Sequence, residues 1–180
     1  MSRAGRRDER RARETVGASR AKGSAGMRRG ILELEVSYAA RRPWVPAPKR
    51  IERWARAALD GRRVAGRAML SVRVVGRAGS QALNDRFRRK SRPTNVLSFR
   101  GAGPLPDGAR DLGELVICAP LVAAEARAQG KPLAAHWAHL TVHGVLHLLG
   151  LDHEAPEEAS KMEAIEVQIL DRLGFSDPYG

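Results

Sequence analysis

Residues 143–153 read His143-Gly144-Val145-Leu146-His147-Leu148-Leu149-Gly150-Leu151-Asp152-His153, and no other stretch restricts the chain so tightly. The apolar residues between the histidines ask for a helix. On it His143 and His147 stand about 6 Å apart along the axis and ~40° apart around it, so both imidazoles can face one ion. Gly150 can take the left-handed conformation that ends a helix, turning the chain so that His153 reaches the same point. Three neutral imidazoles leave a fourth tetrahedral position for water, the layout of a catalytic zinc site, and zinc lowers the pKa of such a water to about 7. The expectation is one Zn2+ per chain, held by His143, His147 and His153. A lone histidine on an apolar helix is more often a satisfied core residue. Here four of the chain's five histidines share the helix, and the helix–glycine–turn–histidine order favours metal. His136 and His139 precede His143 on the same stripe. Without a chain reversal beside them they fit better as groups that orient a ligand histidine or face substrate, and a site using them instead is the alternative. Asp152 either orients a ligand histidine or caps the turn.

Around this helix the chain alternates between two hydrophobic periods. Ile31 to Ser37 alternates as a strand does, and Ile51, Trp54, Ala55, Ala58 and Leu59 recur at helical spacing. Leu70 to Val75 predicts a second strand and Ser80 to Phe87 a short helix. Val96–Phe99 and Leu112–Cys118 predict two more strands, joined by a Gly/Pro/Asp-rich connection from Gly101 to Arg110. Helices follow over Leu121–Gln129, from after Pro132 to Gly150, and over Pro156–Leu173. The order βαβαββααα predicts an α+β fold: a small mixed sheet of about four strands covered by about five helices, with the metal site at the end of a central helix.

Composition sets the remaining bounds. No run of eighteen apolar residues spans a bilayer, and the polar, Arg-rich start has no signal-peptide core, so a soluble, cytoplasmic protein with no membrane partner is expected. Cys118 is the only cysteine, which leaves any metal to His, Asp or Glu. Residues 1–26 hold seven Arg and one Lys against three acids, with no periodicity, and read as a disordered basic tail. Met27 opens the first apolar segment and is an alternative translation start; residues 27–180 form the single expected domain. The tail accounts for +5 of the formal charge of +12, so the rest still carries +7. Such a charge favours a polyanionic partner, nucleic acid before membrane; a high-GC genome inflating Arg is the competing explanation.

The His-x3-His-x5-His spacing matches that of metzincin proteases, whose second motif position is a glutamate acting as general base. Here that position is Gly144, so peptide hydrolysis lacks its proton-transfer group. The segment Arg86-Phe87-Arg88-Arg89-Lys90-Ser91-Arg92 places five cations in seven residues. A charge run alone is usually a solvated loop. Beside a zinc hydrolase it favours a phosphodiester substrate, the metal polarising the scissile phosphate and arginine stabilising the developing charge. The last helix, residues 154–173, holds six acids against two cations, and RNA is expected to approach the face away from it.

Three stretches together are specific: Leu83-Asn84…Phe87-Arg88…Pro93-Thr94-Asn95-Val96-Leu97-Ser98-Phe99, then Leu112-Gly113-Glu114-Leu115-Val116-Ile117, then His136-Trp137-Ala138-His139-Leu140 running into the 143–153 motif. Over about residues 31–173 the chain resembles the bacterial YbeY family of rRNA-maturation endoribonucleases. The resemblance implies a zinc-dependent, single-strand-specific endoribonuclease acting in 16S rRNA 3′-end maturation and late-stage 70S ribosome quality control. It places the zinc ligands at His143, His147 and His153 and the family's functional arginine at Arg88. The catalytic assignment thus falls on Arg88 and His143, with Arg86, Arg89, Lys90 and His139 as substrate contacts. The partners expected are RNA in the form of 16S rRNA and the ribosome, with ribosomal proteins or a GTPase assembly factor as candidate protein partners. Arg89 stands where the family commonly has Gly, and Leu151 where it has an aromatic. The competing readings are a non-catalytic rRNA-binding assembly factor with structural zinc and, behind it, a metalloprotease.

Overall fold

The computed structural model describes residues 30–40, 45–62, 64, 66–151 and 155–180. The tail expected over 1–26 lies outside these residues, as do Asp152 and His153. The order is β1 (Ile31–Tyr38), α1 (Pro48–Gly61), β2 (Arg67–Val75), α2 (Arg77–Arg88), β3 (Val96–Pro104), β4 (Arg110–Cys118), α3 (Ala119–Ala128), α4 (Leu133–Leu148) and α5 (Pro156–Arg172). The four strands lie in the order β1-β2-β4-β3. β1 pairs parallel with β2 and β2 parallel with β4, while β3 runs antiparallel to β4 along one edge. The α+β class and the element order expected from the two hydrophobic periods are both present.

Strand alternation builds two unequal apolar layers. Ala68, Leu70, Val72 and Val74 of β2, with Leu115 and Ile117 of β4, pack against Ile51, Trp54, Ala55 and Ala58 of α1 and against Trp137, Ala138, Val142, Val145 and Leu146 of α4. Ten of the sixteen residues of α4 are buried, as expected of a helix that is apolar on nearly every side and enclosed by sheet, α1 and α5. On the other face, a smaller cluster joins Val75, Leu97, Val116 and Cys118 to Leu83 of α2, Phe99 of β3 and Leu121 of α3. α2 and α4 therefore sit on opposite faces of the sheet, with edge strand β3 between them.

Two boundaries differ from expectation. β3 and β4 continue into the Gly101–Arg110 connection from both ends, pairing as far as Pro104 with Arg110 around a bulge between Arg100 and Gly103. An edge strand tolerates Gly and Pro because one side of its backbone needs no ladder partner. Gly113 has φ +107°, and a Cβ there would lie 2.0 Å from the Phe99 carbonyl, so the bulge needs a residue without a side chain. α2 begins at Arg77, ahead of the expected start at Ser80. The buried Ser80 hydroxyl instead donates to the Thr94 carbonyl at 2.7 Å and accepts from the Thr94 amide at 2.9 Å, and Asn84 Nδ2 donates to the Arg92 carbonyl at 2.7 Å. The segment leading into β3 is pinned to α2 by these two polar side chains. No helix among the described residues is long and apolar enough to cross a membrane.

Candidate metal centre

α4 ends in a Schellman motif: Leu151 N–H donates to the Leu146 carbonyl, and Gly150 N–H to the His147 carbonyl. Gly150 takes φ +92°, as the sequence predicts. His147 is thus in the last turn and His143 one turn before it. Their Nε2 atoms lie 3.1 Å apart, so two ring nitrogens converge on one point. The third expected ligand, His153, and its neighbour Asp152 lie outside the described residues.

Behind His143 stands a residue the sequence reading missed. Glu166 of α5 is fully buried. Its Oε1 accepts from His143 Nδ1 at 2.8 Å, and its Oε2 accepts from His139 Nε2 at 2.9 Å and from the Tyr179 hydroxyl. Burial alone would raise its pKa, but the hydrogen bonds from His139 and His143 outweigh it and bring Glu166 down to about 2. Burial and the same carboxylate raise the pKa of the Tyr179 phenol, which stays protonated and able to donate. An ionised Glu166 holds the His143 proton on Nδ1 and leaves the Nε2 lone pair on the His147 side, which is how a carboxylate orients a ligand histidine. The signal was present: Glu166 shares a stripe with Met162, Ile169 and Leu170, so an acid occupies an apolar face.

The other two histidines of α4 are placed differently. His139 lies on the wall of a cavity of about 680 Å³ that is also lined by Asn95, Val96, His143, Met162 and Tyr179. His136 is buried and donates through Nε2 to Glu125 at 2.8 Å; Glu125 also accepts from Asn95 Nδ2 at 3.1 Å. Burial works to raise Glu125, but the bonds from His136 and Asn95 hold it below the usual carboxylate range. Among the described residues, His139, His143 and Glu166 form a group that could hold a metal ion, with candidate ligand atoms within 4.8 Å of one another. A cation seated there would have to displace the two N–H bonds that fill the carboxylate. Cys118 is buried and its thiol pKa is raised by burial, so it offers no thiolate.

Gly144 follows from close packing. A Cβ there would stand 2.8 Å from Leu115 Cδ2 and 3.4 Å from Ser98 Oγ. The helix touches the sheet at this point, leaving no room for the side-chain base that a protease needs. α5, the acidic helix, contributes Met162, Glu163 and Glu166 to the same cavity. Packing of Met162 turns that stripe of α5, and Glu166 with it, inward.

Arg86 and Arg88 lie in the last turn of α2, where cations complement the carbonyl end of a helix. Arg89 caps that helix with φ +56°, the one left-handed non-glycine residue among those described, its amide bonded to the Asp85 carbonyl rather than in the Schellman pattern that ends α4. Glycine adopts this conformation without strain, whereas a side chain here crowds the backbone. Arg86, Arg88, Arg89 and Lys90 are all exposed. They stand on the α2 side of β3, whereas His139, His143 and His147 stand on the α4 side.

A sequence model of the family described as endoribonuclease YbeY matches residues 42–174. A protein of that name from Alkalilimnicola ehrlichii is 54% identical over 151 residues, covering 82% of this chain and 91% of its own. Another, from Stenotrophomonas maltophilia, is 53% identical over 159 residues, covering 85% of this chain and 98% of its own. Among solved structures, a Thermotoga maritima protein determined in solution superposes with a TM-score of 0.52 at 22% identity, covering 81% of this chain and 98% of that one, which supports the fold.

Proposed function

The chain belongs to the endoribonuclease YbeY family, and from that premise we propose that it is a zinc-dependent, single-strand-specific endoribonuclease of the cytoplasm, acting in 16S rRNA 3′-end maturation and late-stage 70S ribosome quality control. The observation that carries the reading is the 3.1 Å approach of His143 and His147 Nε2, with buried Glu166 fixing His143 from behind. In this reading His143, His147 and His153 hold the zinc, as a single domain spanning 27–180 folds around α4. Bound zinc supplies a Lewis acid and a nucleophilic water at neutral pH.

The chain's own residues do the rest. Glu166 keeps the His143 ring aimed and its proton on Nδ1. His139, held by the same carboxylate and by Tyr179 OH at 3.3 Å, presents its ring to the cavity where substrate enters. Arg88, exposed at the end of α2, binds a backbone phosphate of the strand through its planar fork and opposes the charge that builds during cleavage, the RNA reaching it around edge strand β3 from the metal side. Arg86, Arg89 and Lys90 bind neighbouring phosphates without regard to base. Ribosomal proteins or a GTPase assembly factor would bring the enzyme to its rRNA. The test is cleavage of a single-stranded RNA by purified protein before and after chelation, with circular dichroism on the same samples. Cleavage lost with the fold retained supports the enzyme; cleavage unaffected by chelation refutes the metal's role.

A further inference from the structure

We propose that Phe87, backed by Phe99, is a stacking platform for one unpaired RNA base, and that it contributes to the preference for single strands; this rests on the reading of the chain as an RNA-cleaving enzyme. Phe87 sits in the last turn of α2 with 55% of its surface exposed, although a phenylalanine on a small domain normally turns inward. Its ring meets Phe99 edge to face, with centroids 4.9 Å apart and planes at 67°. Phe99 is rooted in the small apolar cluster with Leu97 and Val116. The ring is therefore fixed by its neighbour while 55% of its surface stays exposed. The Arg86 guanidinium carbon stands over the Phe87 ring, 5.2 Å from its centroid, so a base stacks on the ring surface that Arg86 leaves open or takes the place of this exposed side chain.

The surroundings choose the occupant. Arg86, Arg88, Arg89, Lys90 and Arg92 flank this phenylalanine in the chain, all are exposed, and among the described residues none of them pairs with a carboxylate. The nearest acid in sequence, Asp85, accepts from Ser91 Oγ at 2.6 Å. An apolar protein partner seated on Phe87 would have to bury several unpaired cations. A single-stranded nucleic acid brings what the patch lacks, a flat base for the ring and phosphates for the cations. A duplex cannot comply, because its bases are already stacked and paired.

The platform and the metal helix share edge strand β3. Phe99 faces α2, while the preceding residue, Ser98, faces α4 and donates to the carbonyl of Gly144 at 3.4 Å, one residue after His143. Val96, the first residue of the same strand, and Asn95 just before it line the cavity that holds His139 and His143. An RNA strand with one base on Phe87 thus passes the basic residues and the pinned segment 91–95 on its way to the cleavage site.

The experiment uses the intact zinc-loaded protein, a fluorescent single-stranded oligonucleotide carrying one 2-aminopurine, and a hairpin of the same length. The inference expects Phe87→Ala to weaken single-strand binding by about 5–100-fold, the range for loss of one stacked base, and to abolish the 2-aminopurine quenching that wild type shows. Hairpin binding should change little. Phe87→Tyr should behave as wild type, and Phe87→Leu, which keeps apolar bulk against Phe99 but not the flat ring, should behave as Phe87→Ala. Single-strand binding by Phe87→Ala equal to wild type, or full rescue by Phe87→Leu, overturns the platform. If wild type cleaves RNA and Phe87→Ala matches it, only the platform fails. If wild type binds and quenches but never cleaves, the enzyme reading fails and the platform stands; if wild type binds no RNA, both fall.

Discussion

Arg89 offers a test in which stability and RNA binding move independently. The residue caps α2 at φ +56°, with its amide bonded to the Asp85 carbonyl at 3.0 Å and that of Lys90 to the Asn84 carbonyl at 3.3 Å, so the left-handed turn is enforced by two backbone bonds. A side chain in this conformation costs about 1–2 kcal/mol because Cβ crowds the backbone. Glycine avoids the crowding but gives up roughly 0.4–1 kcal/mol by loosening the unfolded chain. Arg89→Ala and Arg89→Gly remove the same charge, and so the same interaction with the helix end, and differ only in these two quantities. The glycine variant should therefore be more stable than the alanine variant by about 0.5–1 kcal/mol, or roughly 1–4 °C in Tm for a chain of this size. Both should lose the same RNA affinity, with the salt slope shallower by about 0.7 for one lost single-strand phosphate contact. Differential scanning fluorimetry and anisotropy titrations at several salt concentrations measure both. An alanine variant as stable as the glycine variant would refute the strain argument, and an unchanged salt slope would remove Arg89 from the RNA contacts.

Gly144→Ala should lower stability by about 1–3 kcal/mol, because the added methyl meets Leu115, a fully buried side chain with little freedom to withdraw; an unchanged urea midpoint would show that α4 can lift from the sheet. Glu166→Gln keeps the shape of the side chain but can no longer accept from both histidines. The sign with pH follows from a folded pKa of about 2 against an ordinary 4.5. The ionised carboxylate adds stability above pH 4.5, and that increment disappears as pH falls through about 2. On metal-free protein the gap in urea midpoint between wild type and Glu166→Gln should be widest near pH 7 and close between pH 4.5 and 2, whereas a gap independent of pH would mean that the buried charge contributes nothing.

Much of this was legible from residue order because it depends on local rules. The strand and helix periods, the glycine stop at Gly150 and the one-turn spacing of His143 and His147 all act within a few residues of chain. Glu166 was harder to assign because its role depends on α5 packing across α4 between residues 23 positions apart; only its place on an apolar stripe marked it. The strands through Gly101–Arg110 were hidden by Gly and Pro, which elsewhere mark turns but at a sheet edge are accommodated by a bulge. Arg89 is the converse case: its significance lay in a backbone angle that no side-chain pattern reveals.

Which residues hold the metal decides how this site works. Zinc content should be determined by elemental analysis on natively purified wild type, His147→Ala and His139→Ala, each confirmed as folded by circular dichroism. The expected result is one zinc per chain in wild type, its loss in His147→Ala and its retention in His139→Ala. Full zinc in His147→Ala together with its loss in His139→Ala would contradict it, placing the metal on His139, His143 and Glu166 instead.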